Sequence, residues 1–274
     1  MMQLEYVPGI AGQSVQLDGP TSFVGIAEEM RSREWDYDLG YRDLISATRP
    51  ARKVEVAFHA DFGTADRLRR VADADVMSAT PGTFVAQKEW RQRGYVLSSN
   101  PDFIGSGRIV ADLDIALLDG AWWRLVVRSF MPGGGSGSDT YLDYPHDYPH
   151  DFQATAMADV TPGVLTPSDV YLVVYGPAVN PYIIVGGNRY QVNVSVPAGG
   201  YLKVDGRDKT IQLTLADGTV QNVFSSGVRG SGAGGGSYIF ERVPAGTSEV
   251  TYDGSFGFDL GWYEEEGEPP WSRS

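Results

Sequence analysis

Short runs in which apolar and polar residues alternate cover most of the chain and predict a protein made mainly of β-strands. In the segment 53–59, for example, Val54, Val56 and Phe58 are each separated by one charged or small residue. Such alternation places one face of a strand against a core and the other toward solvent. Asp-Gly pairs that begin at residues 18, 119, 205 and 217 separate further runs of this kind and indicate tight turns.

One segment has the periodicity of a helix instead. Its apolar residues Leu68, Val71, Ala72 and Val76 fall on one face of a helix predicted over 64–76, and the threonine that opens the segment is a suitable N-cap. A single helix among strands predicts that residues 1–140 form an α+β sandwich or split barrel.

A flexible break and a proline-rich repeat follow this first half. The break is the Pro-Gly-Gly-Gly-Ser-Gly-Ser segment at 132–138, and the repeat at 141–152 contains the unit Asp-Tyr-Pro-His twice. Proline fixes φ and keeps the preceding tyrosine out of the helical region, so we predict a stiff, extended strap. Its aromatic residues favour contact with protein over water. The residues expected to dock the strap are Tyr144, Pro145, Tyr148, Pro149 and Phe152.

Residues 153–274 contain short strands with regular turns and no helical segment, which predicts a β-sandwich of the jelly-roll or galectin-like type. An acidic, proline-containing tail ends the chain. The predicted class is therefore mainly β, with an N-terminal domain at 1–140, a strap linker at 141–152 and a C-terminal sandwich at 153–274.

Charge and composition exclude several kinds of protein. The net charge is −13, so the chain lacks the positive charge that stable binding to nucleic acid requires. An acidic surface would instead repel DNA that passes along it. Cysteine is absent, which excludes disulfides, thiol nucleophiles and cysteine-bound metals. No apolar run is long enough to span a bilayer and the N-terminus lacks signal-peptide features, so we expect folding in a cytosol.

Arginines are concentrated in the first half of this acidic chain. They could contact nucleic acid, but arginine is also favoured at subunit interfaces, where it pairs with carboxylates through two hydrogen bonds. The interface interpretation suits the acidic composition better, and its candidate residues are Arg49, Arg52, Arg67 and Arg70. Several of the arginines lie in the segment 31–52, which we predict to be a long loop or an irregular strand pair that makes contacts.

The chain contains no recognisable catalytic, phosphate-binding or zinc-protease motif. Asp112 and Asp114 share one strand face about 7 Å apart, a spacing that an acid–base pair could use, although such pairs are more often a solvated face. His146 and His150 lie in the strap about 12 Å apart if it is extended, too far to share one ion within one chain. We therefore predict no catalytic, cofactor or metal site, and no enzyme activity.

Two tryptophans leave a second function open. Trp262 and Trp271 could stack on sugar rings, which would make the C-terminal domain a carbohydrate-binding module. Tryptophan packs inside a domain more often than it lies on a surface, so a core position is the simpler interpretation.

Several segments, taken in order, resemble a known family. They are the strand RKVEVAF at 52–58, the helix followed by PGTFV at 81–85, the hairpin LLDGAWWR at 117–124, the Tyr-Pro repeat, NPYIIVGGN at 180–188, and DGSFGFD at 253–259 with EEEGEPPW at 264–271. In this order the chain resembles the distal tail proteins, or Dit proteins, of long-tailed bacteriophages, also called phage minor tail proteins.

The resemblance implies a structural protein of the virion that is assembled in the host cytoplasm and located at the tail tip. The N-terminal domains would form a ring of six copies that continues the tail tube and also meets the tail-associated hub protein. The galectin-like domains would offer docking surface to receptor-binding proteins, and DNA would pass through the lumen. The alternative function is attachment to host cell-surface glycans.

Overall fold

The computed structural model describes residues 3–10, 12–24, 28–132, 156–160 and 164–269 of the 274-residue chain. In these ranges the protein is mainly antiparallel β-structure, as the sequence predicts. Residues up to Arg124 and from Glu265 onward form one compact unit, unit 1, and Leu125 to Glu264 form a second, unit 2. None of the described helices is long and apolar enough to cross a membrane.

The two units differ from the predicted domains in where they divide. The division falls inside the strand Trp122–Phe130 instead of at residue 140, and the chain from Glu265 onward belongs to unit 1. Compact units are defined by long-range packing, whereas glycine-rich and proline-rich segments mark only local composition. Several residues that the sequence analysis considers for the strap, a metal site or glycan contact lie outside the described ranges. They are Tyr144, Pro145, His146, Tyr148, Pro149, His150, Phe152 and Trp271.

The described residues of unit 1 form two helices and ten strands, of which the last continues into unit 2. The helices are α1 (Glu28–Arg31) and α2 (Phe62–Met77). The strands are β1 (Leu4–Val7), β2 (Val15–Gln16), β3 (Ser22–Val24), β4 (Asp36–Leu39), β5 (Leu44–Thr48), β6 (Arg52–Asp61), β7 (Gly82–Ala86), β8 (Trp90–Gly105), β9 (Arg108–Leu117) and β10 (Trp122–Phe130).

Eight of these strands belong to one antiparallel sheet. Seven follow the order β3-β6-β9-β8-β7-β1-β2, and β10 pairs with β8 at Trp123. The predicted alternation in β6 is confirmed, because Val54, Val56 and Phe58 are buried and face the core. Helix α2 covers this face and contributes Leu68 to the same apolar cluster. Burial of such side chains contributes about 1.5–3 kcal/mol each, so this layer is the main source of stability in unit 1.

The predicted helix is confirmed, but its start is not where the sequence suggested. Helix α2 begins at Phe62, and its N-cap is Asp61, whose side chain accepts a hydrogen bond of 2.7 Å from the backbone N–H of Thr64. The assignment of Thr64 as the N-cap is therefore wrong. Thr64 lies in the first turn, where it is buried and its hydroxyl is 2.9 Å from that of Thr21.

The buried face of α2 also differs from the predicted one. Val76 is 45 % exposed, whereas Asp75 is fully buried. The Asp75 carboxylate accepts hydrogen bonds from the Tyr6 hydroxyl at 2.6 Å and from the backbone N–H groups of Gly9 and Ile10 at 3.1 and 3.2 Å. Burial, helped by the bond to Asp75, raises the pKa of Tyr6 well above its ordinary value. The helix therefore holds the N-terminal segment through one buried carboxylate.

The described residues of unit 2 form the end of β10 and eleven further strands. They are β11 (Ala156–Val160), β12 (Val170–Tyr175), β13 (Ala178–Val179), β14 (Tyr182–Val185), β15 (Asn188–Gln191), β16 (Ser195–Val196), β17 (Tyr201–Asp205), β18 (Thr210–Thr214), β19 (Val220–Asn222), β20 (Ser248–Tyr252) and β21 (Phe258–Glu266), whose last two residues belong to unit 1. A 3₁₀ turn follows β19 at Phe224–Ser226.

Two sheets of unit 2 enclose one core, which confirms the predicted sandwich. One sheet has the order β19-β18-β17-β12-β21 and the other has the order β11-β20-β14-β15. Leu172 and Leu260 of the first sheet and Ile183 and Val250 of the second belong to one buried cluster. The alternation in each strand gives every sheet one apolar face, and two such faces exclude water when they pack together.

Two of the Asp-Gly turns provide a test of how closely the turns are packed. Gly120 and Gly218 both have positive φ, at 67° and 84°. A Cβ atom on Gly120 would overlap the carbonyl oxygen of Arg49, whereas one on Gly218 would meet nothing within 4 Å. We expect Gly218→Ala to lower the free energy of unfolding by about 1 kcal/mol, the cost of left-handed backbone alone.

We expect Gly120→Ala to cost about 2–4 kcal/mol, because overlap with a backbone carbonyl adds to the same conformational cost. Urea unfolding of both variants, followed by tryptophan fluorescence and far-ultraviolet circular dichroism, measures the difference. Equal losses in the two variants would show that the chain at Arg49 moves aside without cost.

Candidate functional site

A hairpin of two strands in unit 1 carries an unusual apolar surface. Strands β4 and β5 pair with each other and, among the described residues, with no other strand. Tyr37, Leu39, Leu44 and Ile45 on them are each 60–65 % exposed. We call residues 36–48 the arm. It corresponds to the segment predicted as a long loop or an irregular strand pair, and the strand pair is the alternative that the structure confirms.

Local sequence explains why the arm is a hairpin with an irregular register. Gly40 donates its N–H to the carbonyl oxygen of Asp43 at 2.8 Å, which closes the turn. The register shifts between Asp38 and Leu39, so the ladder is interrupted just before the turn. Such a bulge turns side chains on one strand relative to the other, and here apolar side chains on both strands are left exposed. A two-stranded hairpin without a third strand is only marginally stable in water, so the arm is suited to packing against another surface.

The base of the arm is held by the chain's own C-terminal segment within unit 1. The Arg49 guanidinium lies 4.6 Å from the ring centroid of Trp35 and 3.7 Å from a carboxylate oxygen of Glu265. Arg31 donates to the carbonyl oxygen of Pro269 at 3.2 Å. These contacts anchor the start and the end of the arm while its apolar middle remains exposed.

A second exposed apolar surface lies at the end of the β8–β9 hairpin. Phe103 and Ile104 are exposed there, beside a turn in which Ser106 and Gly107 both have positive φ. Proline is unusual in the interior of a strand, yet β8 continues through Pro101 to Gly105. The strand continues because the register shifts between Pro101 and Phe103, and such a bulge accommodates proline.

The four arginines proposed for subunit interfaces have different environments. Arg49 is engaged with Trp35 and Glu265, as described above. Arg52 is half-buried, donates to the hydroxyl of Ser32, and has a pKa that burial lowers from its ordinary value. These two arginines therefore support the base of the arm from within the chain.

Arg67 and Arg70 lie on the exposed side of α2. Arg67 donates to the Thr64 hydroxyl at 3.1 Å, and no described acidic side chain is paired with Arg70. Their side chains are accessible, so an interface role for these two remains a prediction.

The carboxylate pair considered as acid and base is not arranged for that chemistry. Asp114 lies 2.9 Å from the ammonium group of Lys53 and accepts a hydrogen bond of 2.7 Å from Ser98. The bond with Lys53 is the main reason why the pKa of Asp114 lies below its usual range. A general acid must hold a proton near neutral pH, so Asp114 is poorly suited to that role.

Trp262 is not available for stacking on a sugar. It is 2 % exposed, belongs to the core of unit 2 and directs its indole N–H toward Glu264 at 3.4 Å. The prediction of glycan contact at Trp262 is therefore wrong, and the core position is confirmed. Strand β21 places Trp262 on its inner face because Leu260 and Phe258, two and four residues before it, also point into the core. In the described part of the chain, no group of three or more histidine or acidic side chains could hold a metal ion.

Comparison with solved structures identifies the architecture. The chain aligns with a chain of the phage p2 baseplate in its activated conformation with Sr, at a TM-score of 0.60 and 10 % sequence identity, over 98 % of this chain and 100 % of that one. It also aligns with the SPP1 Dit protein, a hub of the adsorption apparatus in phages that infect Gram-positive bacteria, at a TM-score of 0.53 and 12 % identity. That alignment covers 97 % of this chain and 99 % of the Dit chain.

The chain has the fold of a Dit hub protein. The resemblance seen in the order of sequence segments is thus confirmed by the three-dimensional structure. No family model matches the sequence, and no curated protein matches it. At 10–12 % identity the Dit fold is retained while most side chains differ, because a fold depends on the pattern of apolar positions more than on their identity.

Proposed function

We propose that the protein is a structural component of a bacteriophage tail tip, where copies of it form a ring-shaped hub between the tail tube and the baseplate. The observation that carries this proposal is the Dit fold over nearly the whole chain, shared with a phage baseplate chain and with a hub protein. Ring order six, the order implied by the family resemblance, is part of the proposal.

The exposed apolar surfaces of unit 1 support self-association. The arm and the tip of the β8–β9 hairpin expose large apolar side chains that no described part of the chain covers. Monomeric proteins rarely expose contiguous apolar patches of this kind, whereas surfaces that bind other proteins commonly do. In the proposed ring, the arm of one copy packs on unit 1 of the next. It thereby gains the packing partner that an isolated two-stranded hairpin needs for stability.

The charge of the chain supports a role in DNA passage without DNA binding. A net charge of −13 gives a ring of copies a strongly negative field. A lumen with this field repels phosphates and lets DNA slide through instead of adhering. Strong salt dependence of binding, which follows from counterion release at basic surfaces, is therefore not expected.

Unit 2 supplies the surface for further partners in this proposal. As a sandwich with its own core, it can project from the ring without contributing to ring closure. The proposed neighbours of the ring are the tail tube protein, the tail-associated hub protein and receptor-binding proteins. An enzyme role is not proposed, since Asp114, the best-placed acid candidate, is tied to Lys53.

Imaging tests the hub proposal. We expect the purified protein, alone or together with its neighbouring tail proteins, to form rings in negative-stain electron micrographs, and the protein to be present in purified virions by mass spectrometry. Antibody labelling of virions should place it at the distal end of the tail. If the protein is missing from purified virions, or is labelled at the head, the proposal is wrong.

A further inference from the structure

We propose that unit 2 carries a binding cleft for a neutral saccharide, centred on Tyr175 and Asp259. This inference does not depend on the hub proposal, because it concerns the surface of unit 2 alone. It also differs from the tryptophan-based prediction, since no tryptophan is among the described residues that line the cleft.

The cleft lies where β12 ends and β21 begins. Its volume is about 400 Å³, and its lining includes Phe130, Met131, Tyr175, Pro177, Phe256 and Asp259. Small-molecule sites in proteins are concave, mainly apolar and have a few polar groups in fixed positions. This cleft has that composition, because aromatic and aliphatic side chains form its walls and one carboxylate lies among them.

Tyr175 supplies a flat surface and also positions the carboxylate. Its ring is 45 % exposed, and its hydroxyl donates to Oδ2 of Asp259 at 2.6 Å. No described group donates to the other carboxylate oxygen, Oδ1, which therefore can accept hydrogen bonds from a ligand. Hydrogen bonds to a carboxylate are roughly twice as strong as those between neutral groups, which makes Oδ1 a good acceptor for sugar hydroxyls.

A second tyrosine widens the aromatic surface. Tyr201 on β17 lies directly opposite Tyr175 in the ladder between β12 and β17, and it is also exposed. Directly opposed residues in an antiparallel ladder have their Cβ atoms about 5 Å apart, so the two rings are neighbours on the outer face of the sheet. Two adjacent tyrosines present apolar ring faces with polar edges, to which the C–H face of a pyranose can pack.

Charge decides which class of ligand suits the cleft. Among the described residues that line it there is no lysine and no arginine, while Asp259 contributes a carboxylate. Lys203, on the same sheet, is held 3.6 Å from Asp205 and lies over the ring of Tyr171. An anionic ligand such as a phosphate polymer would be repelled here, whereas a neutral polyol donates its hydroxyl protons to the carboxylate without a charge penalty.

The protonation of Tyr175 is consistent with this geometry. The hydrogen bond to Asp259 is the main cause that raises the pKa of Tyr175 to about 12. The phenol therefore remains a hydrogen-bond donor to Asp259 into the alkaline range, beyond the pH at which an ordinary tyrosine ionises.

Ligand-observed saturation-transfer NMR on the full chain tests the proposal. The probes are the methyl glycosides of glucose, galactose and N-acetylglucosamine at millimolar concentration, with methyl glucuronide as an anionic probe and arginine amide as a cationic one. We expect transfer from the protein to ring protons of at least one neutral glycoside and none to the glucuronide. Transfer to none of the neutral glycosides, or stronger transfer to arginine amide, would overturn the proposal.

Substitutions in the cleft test whether the glycoside binds there. We expect Asp259→Asn and Tyr175→Ser each to weaken glycoside binding about tenfold, since each removes one of the two recognition elements. The matched controls are Asp217→Asn, which makes the same change in the turn between β18 and β19, and Phe224→Ser, which removes another exposed aromatic ring of unit 2. Neither Asp217 nor Phe224 lines the cleft, so both controls should bind as the unchanged protein does.

Tyr175→Phe distinguishes loss of a binding contact from loss of the fold. It keeps the ring and removes only the hydroxyl that orients Asp259, so near-ultraviolet circular dichroism should be unchanged while binding weakens. If Tyr175→Phe and Asp259→Asn both bind like the unchanged protein, the cleft is not the site. This result is independent of virion imaging, so the saccharide site and the hub role can fail separately.

Discussion

Replacing Leu39, Leu44 and Ile45 together with serine is expected to convert the assembled protein into a folded monomer. All three side chains lie on the arm and are more than half exposed in the single chain. In the proposed ring they are buried against the next copy, and each then contributes about 1.5–3 kcal/mol of apolar burial. Loss of roughly half of that at three positions weakens the contact by about two to three orders of magnitude.

The fold of the single chain should survive this change. None of the three side chains belongs to the apolar cluster of unit 1, and the turn of the arm is closed by a backbone hydrogen bond from Gly40 to Asp43. Surface substitutions away from core contacts usually change the free energy of unfolding by less than about 0.5 kcal/mol. The variant should therefore have an unchanged far-ultraviolet circular dichroism spectrum and a similar urea midpoint.

Sedimentation velocity and light scattering measure the outcome, with a matched triple variant of unit 2 as the control. Leu165, Val179 and Val220 are also exposed aliphatic residues, and their replacement with serine should leave the assembly intact. Dissociation of the control but not of the arm variant would place the contact between copies in unit 2. Dissociation of neither would exclude the arm as the main interface.

Asp75→Ala is expected to be the most destabilising single substitution among those considered, with a loss of about 3–5 kcal/mol in the free energy of unfolding of unit 1. The carboxylate is fully buried on α2 and accepts hydrogen bonds from the Tyr6 hydroxyl and from the N–H groups of Gly9 and Ile10. Alanine leaves these three donors without an acceptor inside the protein, and each buried donor without a partner costs about 1–3 kcal/mol.

Asp73→Ala is the matched control for this prediction. Asp73 lies two residues earlier on the same helix, is exposed, and its nearest cationic partner is Arg69 at 3.9 Å. Its replacement should change the free energy of unfolding by less than about 0.5 kcal/mol. Urea denaturation followed by circular dichroism compares the two variants, and a loss below about 1 kcal/mol for Asp75→Ala would mean that the N-terminal segment detaches without cost.

Tyr6→Phe distinguishes the hydrogen bond from the packing. It removes only the donor to Asp75 and keeps the ring, which packs 4.9 Å from Phe84 between centroids. The double variant Tyr6→Phe/Asp75→Ala should lose less than the sum of the two single losses, because both changes remove the same bond. Additive losses would show that the two residues act independently.

Local sequence patterns predicted the helix, the strands and the turns more reliably than they predicted which residues are buried. The alternation of β6, the periodicity of α2 and the Asp-Gly turns are properties of neighbouring residues, and all appear in the structure. The N-cap was misplaced because aspartate and threonine are both good caps, and Asp61 and Thr64 lie only three residues apart. Nothing local distinguishes which of the two begins the helix.

The sequence did not predict which side chains are exposed and which are buried. Asp75 and Val76 are adjacent, and their types suggest that the valine is inside; the structure buries the aspartate because Tyr6 and the loop after β1 bring three donors to it. For Trp262 the sequence favoured a core position but left a surface position open, and only the path of β21 places it in the core of unit 2. The cleft at Tyr175 and Asp259 unites residues 84 positions apart, a distance that no local motif spans.

The sequence by itself determined the mainly β class, the one long helix, the position of the tight turns and the resemblance to Dit proteins, since each depends on the order and periodicity of residue types. Only the tertiary structure decided which apolar residues remain exposed on the arm, how the C-terminal segment joins unit 1 and where Tyr175 meets Asp259. The physical reason is that burial results from pairing between distant strands, and many chain registers are compatible with the same local alternation.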